Sequence, residues 1–169
     1  MDQESGSESA PTRSRTTSER KSERELVVTR TFASPKHVVF DAWTKPELFM
    51  RWWTPKSMGV SLLSCEMDVR DGGGYRVAFG QDGAEPMIFF GRYIDVVSNT
   101  RLVWTNEESE DAAVTTVTFE GEGDKTLLVL HELYPSKEAL DGAIVGMAEV
   151  MAEQFEQLDV LLATLDPDV

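Results

Sequence analysis

The sequence is short of cysteine, histidine and long apolar runs, and each shortage removes a class of function. Cysteine occurs once, at Cys65, so no disulfide can close within the chain, and a reducing cytoplasmic setting is expected. Histidine occurs only at His37 and His131. With Cys65 these show no ligand-type spacing, so no metal site is expected. No apolar run approaches the ~18 residues of a membrane-spanning helix. No Gly-x-Ser-x-Gly elbow is present. The three glycines Gly72, Gly73 and Gly74 are not followed by Lys-Ser/Thr, so they form a hairpin turn rather than a phosphate cradle. Nothing in the sequence calls for a cofactor.

Positive charge is scarce as well. Against 16 Lys and Arg stand 30 Asp and Glu, for a net charge of −14. The first 25 residues hold six acids and five bases, so nearly all of that charge belongs to the rest. Past Lys125 there are nine acids and one base, Lys137. Nucleic acid and anionic membrane surfaces need the opposite sign and are not expected partners. The opening "MDQESGSESAPTRSRTTSERKSERE" has no aromatic and, besides the initiator, only Ala10 as an aliphatic residue. It cannot bury enough surface to offset its ordering entropy, so residues 1–25 read as a disordered polar tail. It also lacks the apolar core of a secretory signal. Residues 26–165 are enough chain for one domain with a substantial core.

Periodicity organises that domain. "ELVVTRTF" is β-branched and reads as a strand. In "SPKHVVFDAWT" Ser34 is a natural N-cap and Pro35 fits the first helical position. Pro46 ends this helix and opens a second short one, "PELFMRWW", stopped by Thr54-Pro55. From 60 to 131 the pattern alternates with period two, giving six further strands divided by glycine-rich and polar turns. Leu63, Cys65 and Met67 share one parity, as do Tyr75, Val77 and Phe79. Ile144, Ala148, Met151, Phe155, Leu158, Leu162 and Leu165 then mark one long amphipathic helix. The expectation is an α+β domain: seven strands in an antiparallel meander, two short helices after the first strand, and a long C-terminal helix across the sheet. Both parities are apolar in "MIFF" and "TLLVL". Either bulges switch the parity, or the convex face is covered by a second subunit; a homodimer is the slightly favoured outcome.

The pieces "VFDAWTKPELFMRWW", "MDVRDGGGYR", "GRYIDVVSNTRLVWT", "TLLVLHEL" and "EQFEQLDVLLATL", in this order, resemble the helix-grip superfamily of START-like (SRPBCC) domains. Within it they are most similar to the AHSA-like branch, named for the activator of the 90-kDa heat-shock protein's ATPase. The resemblance spans residues 26–165. It implies a seven-stranded curved sheet gripping the C-terminal helix, with an apolar cavity between them. Members bind lipids, hormones or polyketides, cyclise polyketides, sequester natural products or bind chaperones, so the fold does not choose the chemistry. Similar sequences often carry Trp after the glycine that opens the last helix. Here Met147 follows Gly146, which implies a softer wall.

The adjacent tryptophans in "FMRWWTP" are the most conspicuous candidates. On a short helix their rings point about 100° apart, so one can face a cavity while its neighbour packs beneath. The expected ligand-binding set is Trp52, Trp53, Tyr75, Phe79, Trp104, Phe119, His131, Met147, Met151 and Phe155, around a hollow of roughly 300–1,000 Å³. His131 continues the parity of Leu127 and Val129, which the resemblance places inside. There it is a satisfied core histidine, a ligand hydrogen-bonder or a general base. Cys65 reads as an inert core thiol. The leading expectation is a cytoplasmic binding module for an apolar or aromatic small molecule. The alternatives are a cyclase- or hydrolase-like enzyme with His131 as base, and a chaperone-interacting module.

Overall fold

The computed structural model describes residues 16–81 and 83–165. Strand β1 (Thr17–Arg20) pairs antiparallel with β2 (Glu25–Phe32), which leads into helix α1 (Lys36–Thr44) and the single turn α2 (Pro46–Phe49). Strands β3 (Ser61–Met67), β4 (Gly74–Gly80), β5 (Met87–Val97), β6 (Arg101–Thr105), β7 (Val114–Glu122) and β8 (Lys125–Leu133) follow. Helices α3 (Lys137–Ala143) and α4 (Met147–Leu162) close the chain. All eight strands form one antiparallel sheet in the order β1-β2-β8-β7-β6-β5-β4-β3.

The architecture is the α+β helix-grip arrangement, with eight strands among the described residues rather than seven. The extra strand, β1, falls inside the segment expected to be a polar tail. Its four side chains are all exposed, so no burial pattern betrays it, and backbone pairing to the edge of β2 holds it in place. Residues 1–15 of that expected tail lie outside the described residues. Among the described residues no helix is long and apolar enough to cross a membrane.

The inner face of the sheet is set by β2, whose residues alternate strictly: Leu26, Val28, Arg30 and Phe32 are buried. Register carries this face across the sheet. Val28 sits opposite Leu130, and Leu130 opposite Val117; Val117 in turn faces Leu102. The inner parity of β8 is therefore Thr126, Leu128, Leu130 and Glu132, opposite to that expected, and Leu127, Val129 and His131 point outward. Bulges interrupt two other strand pairs, whereas "MIFF" pairs with β4 in unbroken register. The β3–β4 register shifts between Leu62 and Ser64, leaving Leu63 exposed while Cys65 and Met67 are half-buried. The β5–β6 register shifts between Tyr93 and Asp95.

Helix α4 lies on the inner face. Phe155 meets Phe32 edge-on with ring centres 5.8 Å apart, and Arg30, buried beneath the helix, reaches Asp159 at 3.2 Å. The expected long C-terminal helix is α4, opening at Gly146, whose left-handed φ of 77° separates it from the unforeseen short helix α3; Ile144, the first member of the expected stripe, lies before it. Ser136 caps α3 by accepting the Ala139 N–H. Ser34 does not cap α1, which starts one residue later than expected. Its carbonyl instead accepts the Thr126 hydroxyl at 2.7 Å and ties the helix entry to β8.

Candidate functional site

The two tryptophans lie in the turn that follows α2 rather than on the helix, which ends four residues earlier than the sequence predicts, and their rings still divide. Trp52 is fully buried. Its indole Nε1 donates to the Ala42 carbonyl at 2.9 Å. That carbonyl would ordinarily accept the N–H four residues on, but Pro46 has none, so the indole supplies the donor the helix lacks. Trp52 also packs edge-on against Trp43 at 4.8 Å and Phe49 at 5.4 Å. Trp53 turns the other way: it is half-exposed, stacked on Phe49 at 4.7 Å and edge-on to Trp52 at 5.4 Å and Trp43 at 6.0 Å.

Polar side chains of α4 hold this segment down. Gln154 Nε2 donates to the Trp53 carbonyl at 2.7 Å, and Gln157 Nε2 to those of Trp52 and Thr54 at 2.9 and 3.0 Å. The Lys56 N–H donates to Gln157 Oε1, and the Ser57 N–H to Glu153 Oε2, both at 2.9 Å. The backbone that carries Trp53 is thus fixed relative to α4.

Between α3, α4, the 106–113 loop and the inner ends of β6, β7 and β8 lies a hollow of about 690 Å³. Trp53, Trp104, Leu130, Met147, Met151 and Phe155 supply its apolar wall. Exposed residues of the loop and of α3, among them Glu108, Asp111 and Glu138, form its rim. A smaller chamber of about 50 Å³ lies further under the sheet. It shares Trp53, Phe89, Trp104 and Asn106 with the hollow and adds Trp43, Tyr75 and Tyr93.

One rung of the sheet supplies a polar stripe in this wall. Glu132 stands opposite Thr115, and Thr115 opposite Trp104. Tyr134 donates its hydroxyl to Glu132 Oε1 at 2.7 Å, and Thr115 donates to Oε2 at 3.3 Å. Asn106 Nδ2 donates to Thr115 Oγ1 at 3.0 Å and to the Ala113 carbonyl at 2.7 Å. Tyr75 donates to the Thr105 carbonyl at 2.7 Å, with Asn106 Oδ1 at 3.0 Å. Burial pushes the Glu132 carboxyl above the usual range, and the Tyr134 and Thr115 hydroxyls only partly offset it. Burial likewise raises the Tyr134 and Tyr75 phenols, with nearby carboxylates adding to the effect. Both therefore serve as neutral donors.

Of the residues expected around a ligand, Trp53, Trp104, Met147, Met151 and Phe155 border the hollow, and Tyr75 borders the inner chamber. Trp52 does not, because its ring fills the core beneath. Phe119 is buried against Phe40 and Trp43, on the side away from the hollow. Phe79 is buried against Phe89 at 5.0 Å and borders neither space. His131 faces the outside of the sheet, between Val27 and Thr116, where Nε2 meets Glu25 Oε2 at 2.8 Å. That contact, foremost among its causes, holds the Glu25 carboxyl below its usual range. Glu132 is the group that reading the sequence missed. Its signal was available, since it continues the parity of Leu128 and Leu130. Among the described residues no group of three or more His, Cys, Asp and Glu side chains is placed to hold a metal ion.

Solved structures share this arrangement. A protein from Rhodobacter sphaeroides superimposes with a TM-score of 0.82 at 24% identity, over 89% of this chain and 99% of the other. One from Nitrosomonas europaea gives 0.75 at 21% identity, over 85% and 97%. One from Staphylococcus epidermidis gives 0.74 at 26% identity, over 87% and 94%. No curated protein matches the sequence. The family model for "Activator of Hsp90 ATPase homolog 1-like protein" matches residues 33–163, from just after β2 to just past the end of α4. The chain belongs to that family.

Proposed function

We propose that this protein is a cytoplasmic binding module that takes an apolar or aromatic small molecule into the hollow between the sheet and α4. The family is consistent with a ligand-binding or a chaperone-associated module. The observation that carries the ligand-binding reading is the hollow of about 690 Å³, in the size range of small-molecule sites, walled by Trp53, Trp104, Met147, Met151 and Phe155. Adaptable thioethers on α4 face rigid indoles, a combination that suits an apolar guest. An enzyme using His131 as base is disfavoured, because its ring lies on the far face of the sheet and cannot reach a guest in the hollow.

The test is fluorescence. A neutral, environment-sensitive naphthalene probe should brighten on binding and quench tryptophan emission, and Trp104→Ala and Met151→Ala should each weaken it several-fold while the protein stays folded. Failure of any apolar probe to bind would refute the reading. Exposed Phe90 and Ile94 on the outer face favour self-association as a homodimer. A mass of one chain by light scattering at high concentration would exclude it.

A further inference from the structure

Resting on the binding reading above, we propose that the guest of this hollow is a cationic amphiphile: an organic ammonium whose nitrogen lies against Glu132 and whose apolar body runs along Trp104 and Trp53. The charge of the lining is one-sided. Glu108, Asp111, Glu132 and Glu138 border the hollow, and among the described residues no Lys, Arg or His does. The rim carboxylates are ordinary surface charges, but Glu132 is not. It occupies an inward position on β8, continuing the line of Leu128 and Leu130 and sitting beside Leu26.

A carboxylate in such a wall is normally neutralised by a paired base. Here, among the described residues, it receives two neutral hydroxyls, one on each oxygen. A carboxylate offers about four acceptor sites, so two remain for a ligand. Burial that disfavours the bare charge strengthens its attraction to a cation that displaces water.

The geometry continues along the same rung. Glu132 on β8 and Trp104 on β6 are separated by one strand, β7, or roughly 10 Å at the usual strand spacing. An ammonium group at Glu132 therefore places an attached ring over the indoles. Aromatic faces also tolerate positive charge. The net charge of −14 draws cations and repels fatty-acid-like anions. Each feature favours the same guest.

The test uses the full chain at low salt, with the neutral naphthalene probe displaced by three competitors. These share one phenyl-alkyl body and end in a primary ammonium, a hydroxyl or a sulfonate. In the wild type the ammonium compound is expected to bind at least ten-fold tighter than the hydroxyl compound, and the sulfonate weakest. In Glu132→Gln the ammonium advantage should fall below three-fold, while the hydroxyl compound stays within two-fold of wild type and reports that the hollow is intact. Hydroxyl binding equal to or tighter than ammonium binding in the wild type overturns the proposal and leaves the binding reading standing. An ammonium preference undiminished in a folded Glu132→Gln also overturns it, by assigning selectivity to the rim. No binding by any competitor or by the probe removes both. Should Glu132→Gln fail to fold, the wild-type ranking decides alone.

Discussion

Trp52 and Trp53 are neighbours of one type, yet the structure gives them opposite consequences. Truncating Trp52 to Ala empties a fully buried site, which costs about 3–5 kcal/mol for a large aromatic in a core. It also strips the donor from the Ala42 carbonyl, adding about 1 kcal/mol or more for a buried acceptor left unpaired. Since a domain of this size is stable by only about 5–15 kcal/mol, Trp52→Ala should be marginal or unfolded. Trp52→Phe keeps most of the ring contacts and should lose only about 1–3 kcal/mol, chiefly through that carbonyl. Trp53→Ala removes a half-exposed ring stacked on Phe49 and should cost about 1–2 kcal/mol.

Binding should order the other way. Trp53→Ala should weaken the naphthalene probe several-fold, and Trp52→Phe should leave it nearly unchanged. Urea melts followed by circular dichroism give the stabilities, and probe titrations give the affinities. The reasoning fails if Trp53→Ala destabilises as much as Trp52→Ala, or if Trp52→Phe weakens the probe as much as Trp53→Ala does.

Further expectations attach to single positions. A Cβ on Gly91 would lie 2.0 Å from the Thr105 carbonyl oxygen and 2.9 Å from the Tyr75 hydroxyl, so Gly91→Ala should prise β5 from β6 and lower Tm sharply; an unchanged melt would contradict the close approach. Burial pushes the Cys65 thiol up to about 11, so near pH 8 its thiolate is scarce, and even with the compensating nucleophilicity it should react on the order of ten-fold slower with an aromatic disulfide than a free thiol. A rate equal to glutathione's would show that the thiol is not so shielded. Asp159→Ala leaves the buried Arg30 without its carboxylate and should destabilise more than Asp141→Ala, whose partners Arg20 and Lys137 are solvated. Equal losses in denaturant titrations would refute the distinction. Glu132 binds its proton more tightly folded than unfolded, so it favours the fold at low pH, and that benefit is lost as pH rises through its raised value. Glu132→Gln should therefore be more stable than wild type at neutral pH, with the difference closing on acidification; a Tm below wild type at neutral pH would count against the burial argument.

Much of the fold was legible because helices and one-sided strands write their periods into the sequence. The order of strands and helices, the Pro46 break and the amphipathic stripe from Met151 to Leu162 follow from such periods. The errors fall where local pattern underdetermines register. Both faces of β8 are apolar, so the choice of inward parity belongs to its partners: β2 and β7, pairing on either side, place Leu128 and Leu130 inside. That one-residue slip carried His131 out of the site and left Glu132 unnoticed. Leu63 was misplaced by a bulge, a device with no period of its own. Strand β1 was invisible because "TSER" makes its bonds through backbone, and its side chains carry no preference for a face. The short helix α3 was not foreseen either, since the apolar stripe begins only at its C-cap, Ile144.

The slip has a physical lesson about the site itself. A sheet whose inner rung read Leu26, leucine, valine, Trp104 would be easier to fold than one reading Leu26, Glu132, Thr115, Trp104. The polar pair gives up apolar burial and takes on the cost of a desolvated carboxyl. Tyr134, Thr115 and Asn106 reduce that cost without cancelling it, because hydroxyls and an amide orient a carboxylate but do not neutralise it. Elsewhere on the inner face the chain handles buried charge differently: Arg30 is given Asp159. The contrast between two charged side chains on one face, one supplied with a counter-ion and one opening on a hollow, is best explained if Glu132's counter-ion arrives with the guest. Stability is then held below its attainable value at this rung, as it commonly is where a wall serves recognition rather than packing.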